Sequence, residues 1–62
     1  MPEDYLARYH NEELQLYSFV TFQGYAYVIS VYNEEGGLAG PFTFARTQEQ
    51  AEYYAQKRIY LI

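Results

Sequence analysis

The chain has 62 residues, which is enough for one small domain. It contains a single histidine and no cysteine, so it can form neither a disulfide nor a thiolate metal site. Eight acidic against four basic residues give a net charge of −4, which disfavours phosphate-rich partners and anionic lipid. Nine tyrosines and four phenylalanines, with half of all residues apolar, indicate a folded domain that carries residue types enriched in interfaces.

No hydrophobic run approaches the roughly 18 residues of a membrane span. The first four residues are acidic rather than basic, and no apolar stretch follows them, so they do not fit a signal peptide. We therefore expect a cytoplasmic protein without a membrane attachment.

Residues 2–11 fit two different structures. Pro2 suits the first turn of a helix, and the two acids after it suit the positive end of the helix dipole. Tyr5, Ala7 and Tyr9 also alternate as they would in a strand. We favour a short helix over 2–11.

Two runs of alternating aromatic and β-branched residues follow, and they predict strands over 14–22 and 25–32. The dipeptide at 23–24 is read as a two-residue hairpin turn, in which the glycine supplies a positive φ angle. This turn places Phe22 opposite Tyr25.

The two faces of this hairpin differ in character. The first face carries Leu14, Leu16, Ser18, Val20, Phe22, Tyr25, Tyr27, Ile29 and Val31. The second face carries Gln15, Tyr17, Phe19, Thr21, Ala26, Val28, Ser30 and Tyr32. A sheet with one solvated face alternates cleanly between apolar and polar residues, and this one does not. Either both faces are covered within the chain, or the second face meets a partner.

Residues 33–41 hold three glycines, a proline and an acidic pair, and they predict an exposed, flexible connection without regular structure. A third strand follows over 42–46, with Phe42 and Phe44 on one face. The predicted meander therefore spans residues 14–46.

The pattern at 47–50 fits a capping box with Thr47 as the cap, and it predicts a helix over 48–58. The small residues Ala51 and Ala55 share one side of this helix and would let it lie close to the first face. Two basic residues near its end suit the negative end of the helix dipole.

The apolar residues 59–62 either extend the helix or form a short edge strand. We favour a strand that returns beside the first one, for a sheet order of 4-1-2-3. The predicted fold is α+β, with a three- or four-stranded, mainly antiparallel sheet and the C-terminal helix packed on one face.

Candidate catalytic groups are few. His10 with Glu12 and Glu13 is the only local cluster of acid–base or metal-ligand residue types, and its spacing matches no metal motif. Ser18 and Ser30 lie in mid-strand without a candidate base beside them. We expect no enzyme, no metal and no cofactor.

A three-stranded meander followed by a helix that begins Thr-x-Glu-x-Ala resembles plant ethylene-response-factor DNA-binding domains and the N-terminal domains of some tyrosine integrases. The similarity is carried by Phe42, Phe44, Thr47, Glu49, Ala51 and Ala55. With an N-terminal helix, the order α-β-β-β-α also resembles a double-stranded-RNA-binding domain.

These resemblances imply nucleic-acid binding. The basic residues that the chain offers for it are Arg46, Lys57 and Arg58. However, no arginine or lysine lies between Leu14 and Ala45, so the sheet lacks the charges that neutralise phosphates. Nucleic acid is therefore the second choice of partner.

Protein binding fits the sequence better. We predict a non-enzymatic interaction domain whose contacts are Tyr17, Phe19 and Tyr32 on the second face, with Glu34 and Glu35 in the following loop. The partner is either a second copy of the chain or a larger protein with a basic surface, such as a nucleic-acid-processing enzyme. In size and composition the chain resembles phage and mobile-element products, including anti-CRISPR and other host-defence inhibitors, which implies an inhibitor or accessory role.

Overall fold

The computed structural model describes residues 2–60, and its four strands form one antiparallel sheet in the order β1-β2-β3-β4. The elements are β1 (Ala7–Asn11), β2 (Leu16–Phe22), β3 (Tyr27–Asn33), β4 (Thr43–Ala45) and α1 (Gln48–Tyr60). The predicted α+β fold, with its meander and its C-terminal helix on one face, is confirmed.

The turn between β2 and β3 is longer than predicted. The backbone N–H of Gln23 donates to the carbonyl of Ala26 at 2.9 Å, and this bond closes a four-residue loop. Phe22 consequently pairs with Tyr27 instead of Tyr25. A shift of two residues leaves every side chain on its predicted face, because side chains alternate with a period of two.

The N-terminal segment contains a strand, so the predicted helix over 2–11 is wrong. β1 pairs antiparallel with β2, and Tyr9 lies opposite Ser18. Ala7 and Tyr9 pack against the core on the first face, while the intervening Arg8 belongs to the second face. Pairing gives both β1 and the adjacent edge of β2 a ladder of backbone hydrogen bonds, and these outweigh the local helix signal at positions 2–4.

The helix α1 continues to Tyr60, so the predicted strand at 59–62 is wrong for residues 59 and 60. Residues 61 and 62 lie outside the described part of the chain. Ile59 is fully buried at 0% exposure. The side-chain amide of Asn11 donates to the carbonyl of Ile59 at 2.6 Å, and the hydroxyl of Tyr60 donates to the carbonyl of His10 at 2.9 Å. The place beside β2 is taken by β1, so the order 4-1-2-3 does not occur.

The helix packs closely on the first face. Ala51, Ala55 and Ile59 are all 0% exposed, and the four-residue spacing places them on one side of the helix. The hydroxyl of Ser18 donates to the carbonyl of Ala55 at 2.9 Å, directly between sheet and helix. The predicted cap is confirmed, because the N–H of Gln50 donates to the Thr47 hydroxyl at 3.1 Å.

The loop after β3 is more regular than predicted. The side-chain oxygen of Asn33 accepts from the N–H groups of Glu35 at 3.0 Å and Gly37 at 2.9 Å. Beyond this turn, Leu38 forms an isolated antiparallel bridge with Tyr32. The asparagine side chain replaces a backbone partner in such a turn, so the glycine-rich sequence still folds back on itself.

Tyr9 ties β1 to the helix. Its hydroxyl donates to Glu52 Oε1 at 3.2 Å. Burial, followed by the negative charge of Glu52 and the hydrogen bond to it, raises the pKa of Tyr9 above its ordinary value. Folding therefore favours the neutral phenol. The resulting contribution to the free energy of unfolding is complete below about pH 10, the ordinary pKa of tyrosine. It is lost as the pH rises through the raised pKa.

We expect the difference in unfolding free energy between the wild type and Tyr9→Phe to shrink as the pH rises from about 8 to about 11. Urea unfolding followed by circular dichroism at each pH measures this difference. Tyr53→Phe is the matched control, because Tyr53 lies on the helix that carries Glu52 and is 58% exposed. If the difference in unfolding free energy between the wild type and Tyr9→Phe stayed constant up to pH 11, the raised pKa of Tyr9 and its bond to Glu52 would be contradicted.

Candidate binding surface

The second face of the sheet is partly covered by the chain itself. The Tyr5 ring packs edge-on against Phe19 with centroids 5.2 Å apart, and the Tyr32 ring packs against Phe19 at 5.7 Å. Phe19 is therefore only 2% exposed. It supports this surface from within, and a partner would touch the rings around it.

Tyr17 lies on the same face beside two residues of β1. Its ring stacks on the His10 imidazole with centroids 4.1 Å apart and an interplanar angle of 4°. The guanidinium carbon of Arg8 lies 5.1 Å from the centroid of the Tyr17 ring. One end of the second face is thus a layered group of aromatic and cationic side chains.

The loop acids lie next to this end. Glu34 Oε1 is 3.1 Å from His10 Nε2, which makes an ion pair when the imidazole is protonated. Glu35 is exposed in the same turn, where its backbone N–H bonds to Asn33. The structure therefore places Tyr17 and Tyr32 on one face. Glu34 contacts His10, whose ring stacks on Tyr17.

A wide groove of about 700 Å³ extends from Tyr32 to the other end of the second face. Val28 and Ser30 form its floor, and β4 contributes Phe42 and Phe44. The phenylalanines are 49% and 58% exposed. The N-terminal segment contributes two acids to the lining, Glu3 and Asp4. This segment leads into β1, which lies on the other side of β2 from β3 and β4.

The sequence prediction did not include these four groove residues among the contacts. Phe42 and Phe44 were assigned to one face of a strand, but that face could be chosen only once Phe44 was paired with Val28. Glu3 and Asp4 were assigned to a helix. The alternation at positions 7 and 9 was the signal for β1, whereas Tyr5 precedes that strand and contacts the second face.

The three bases considered for nucleic-acid binding lie in different surroundings. Arg58 donates to the carbonyl of Pro41 at 2.6 Å and to the hydroxyl of Thr43 at 3.1 Å, so it connects the helix to the start of β4 and to the segment before it. Lys57 Nζ lies 5.7 Å from the Tyr53 ring centroid. Arg46 lines a hollow between β4 and the helix that shares Tyr25 and Phe44 with the groove.

Three further observations concern the part of the chain that the structure describes. No group of three or more acidic, histidine or cysteine side chains is positioned to hold a metal ion there. Every buried polar side-chain atom in residues 2–60 has a hydrogen-bond partner. Within the same range, no helix has the length and apolar character needed to cross a bilayer.

No protein-family model, curated protein or solved structure matches the chain. The second face and its charges are therefore the features that indicate a function.

Proposed function

We propose that this protein is a non-enzymatic interaction domain that docks onto a larger, basic-surfaced protein through the second face of its sheet. One observation supports this most directly. Phe42 and Phe44 remain about half exposed across a groove from Glu3 and Asp4. Exposed aromatic rings next to polar and charged side chains are typical of protein interfaces.

The charges on this surface favour a basic partner over nucleic acid. Residues 1–45 contain six acids and one base, Arg8, and all four strands lie in this range. Such a surface repels phosphates and attracts cationic protein surfaces. In the form of this function that we favour, the domain covers the basic site of a nucleic-acid-processing enzyme and so acts as an inhibitor or accessory protein.

A second copy of the chain is a less favourable partner. Pairing two copies through this face would bring Glu3, Asp4 and Glu35 of each copy towards a surface of the same sign. Arg8 is the one arginine or lysine in the first 45 residues, and its guanidinium already lies over Tyr17. Juxtaposed like charges oppose association.

The experiment places a photo-crosslinking phenylalanine analogue at Phe44 or, as the control, at Tyr53. Both side chains are 58% exposed, and Tyr53 lies on the helix while Phe44 lies on the opposite side of the sheet. In a nuclease-treated lysate of the native source, we expect one discrete product with a larger protein from position 44 and none from position 53.

Raising the salt concentration to about 0.5 M should reduce the yield from position 44, because it screens exposed charges. Equal products from both positions would contradict the proposal. A product at twice the mass of the chain would favour self-association instead, and a nuclease-sensitive product would favour the nucleic-acid alternative.

A further inference from the structure

We infer that the groove on the second face takes an arginine side chain from an extended, basic segment of the partner. This inference rests on the proposed function and specifies the chemistry of the partner. It is based on the placement of two carboxylates, Glu3 and Asp4, and two phenylalanine rings, Phe42 and Phe44, around one apolar groove.

Arginine matches both kinds of group in the groove. Its guanidinium is planar, so it can lie on an aromatic ring while its N–H groups bind a carboxylate in a bidentate manner. Val28 in the floor offers an apolar surface to the aliphatic part of the side chain. Lysine provides the charge, but it lacks the planar fork and is more strongly hydrated.

The second face already holds one arginine against an aromatic ring. The guanidinium carbon of Arg8 lies 5.1 Å from the centre of the Tyr17 ring at the end of the face away from the groove. The same sheet surface thus accommodates a guanidinium on an aromatic ring within the chain. The groove offers aromatic rings and adds two carboxylates, and no arginine, lysine or histidine is among the described residues that line it.

The charge of the groove is open to a partner. Among the described residues, the one ion pair joins His10 to Glu34, outside the groove. The described cation–aromatic contacts involve Arg8 and Lys57, and neither reaches Phe42 or Phe44. Glu3 and Asp4 are both exposed. An incoming guanidinium would therefore meet carboxylates that have no described cationic neighbour.

An extended segment suits the dimensions of the surface. The shorter axes of the molecule measure 25 and 17 Å. An extended chain advances about 3.3 Å per residue, so about five to eight residues would span 17–25 Å. A single arginine with short apolar neighbours on each side is the simplest segment with these properties.

The test uses capped five-residue peptides, Ala-Val-Arg-Val-Ala and the same sequence with lysine or citrulline at the centre. Citrulline keeps the shape of arginine and removes its charge. We expect the arginine peptide to shift the amide NMR signals of Val28 and Phe44, with an affinity about tenfold above that of the citrulline peptide and an intermediate value for lysine. Equal affinities for arginine and citrulline, or no shifts up to about 10 mM peptide, would overturn the inference.

Paired charge variants locate the binding. Glu3→Gln with Asp4→Asn should lower the affinity for the arginine peptide to that for citrulline. Glu12→Gln with Glu13→Gln removes the same charge from the exposed β1–β2 turn and should change the affinity less than about twofold, since only long-range attraction is lost. Equal losses in both double variants would show general charge attraction and overturn the assignment to the groove.

The two proposals can fail separately. A partner crosslinked at position 44 through a segment without arginine would leave the proposed function standing and refute this inference. Specific binding of the arginine peptide without any crosslinked protein would do the reverse.

Discussion

Replacing Ile29 with alanine is expected to lower the free energy of unfolding by about 2–5 kcal/mol. Ile29 is 0% exposed in a central strand, where it pairs with Val20 and belongs to the core cluster under Ala51 and Ala55. A chain of this length has a total stability of roughly 3–9 kcal/mol. Loss of three buried carbons in the middle of so small a core would therefore remove a large fraction of this stability.

Urea unfolding followed by circular dichroism measures this loss. Leu38→Ala is the matched control, because it removes the same number of carbons from a side chain that is 55% exposed, and it should change stability by less than about 0.5 kcal/mol. Ile29→Val should lie between the two, at about 0.5–1.5 kcal/mol. A loss below about 1 kcal/mol for Ile29→Ala would show that this residue is not at the centre of the core.

The two faces of the hairpin could be predicted because alternation is a property of the strand itself. The alternation predicts that Val20 and Ile29 lie on the first face, and they do, although the observed pairing differs from the predicted one by two residues. Only a shift by one residue would have exchanged the faces. The pairing itself depended on the length of the loop, and Gln23-Gly24 alone did not determine it.

The N-terminal strand could not be separated from a helix by local signals. Pro2 and the acids after it suit a first helical turn, whereas the alternation at positions 5, 7 and 9 suits a strand. The choice is made by a non-local factor, the free edge of β2, which pairs Tyr9 with Ser18. The hydroxyl of Tyr60 then bonds to β1, so the helix end and the strand stabilise one another.

The candidate surface was predicted in part for the same reason. Tyr17 and Tyr32 lie on the second face as expected from alternation, and Phe19 does too. That Phe19 would be covered depended on Tyr5, whose position required the strand that sequence reasoning had assigned as a helix. The predicted helix over 2–11 also includes Glu3 and Asp4, so their position in the groove could not be predicted.

Enlarging Ala55 to leucine is expected to lower the free energy of unfolding by about 1–3 kcal/mol or more, through overpacking. Ala55 is 0% exposed, and its carbonyl accepts the Ser18 hydroxyl at 2.9 Å, so the helix backbone lies close to β2. Leucine has nearly the same helix propensity as alanine, so the loss reports contact with the sheet and not the stability of the helix alone.

The control is Ala39→Leu, which makes the same change at an exposed position in the loop after β3 and should alter stability by less than about 0.5 kcal/mol. Both variants are compared with the wild type by urea unfolding. A wild-type midpoint in Ala55→Leu would mean that the helix can move away from the sheet without cost. The close approach made possible by the small residues of the helix would then not be what holds it on the first face.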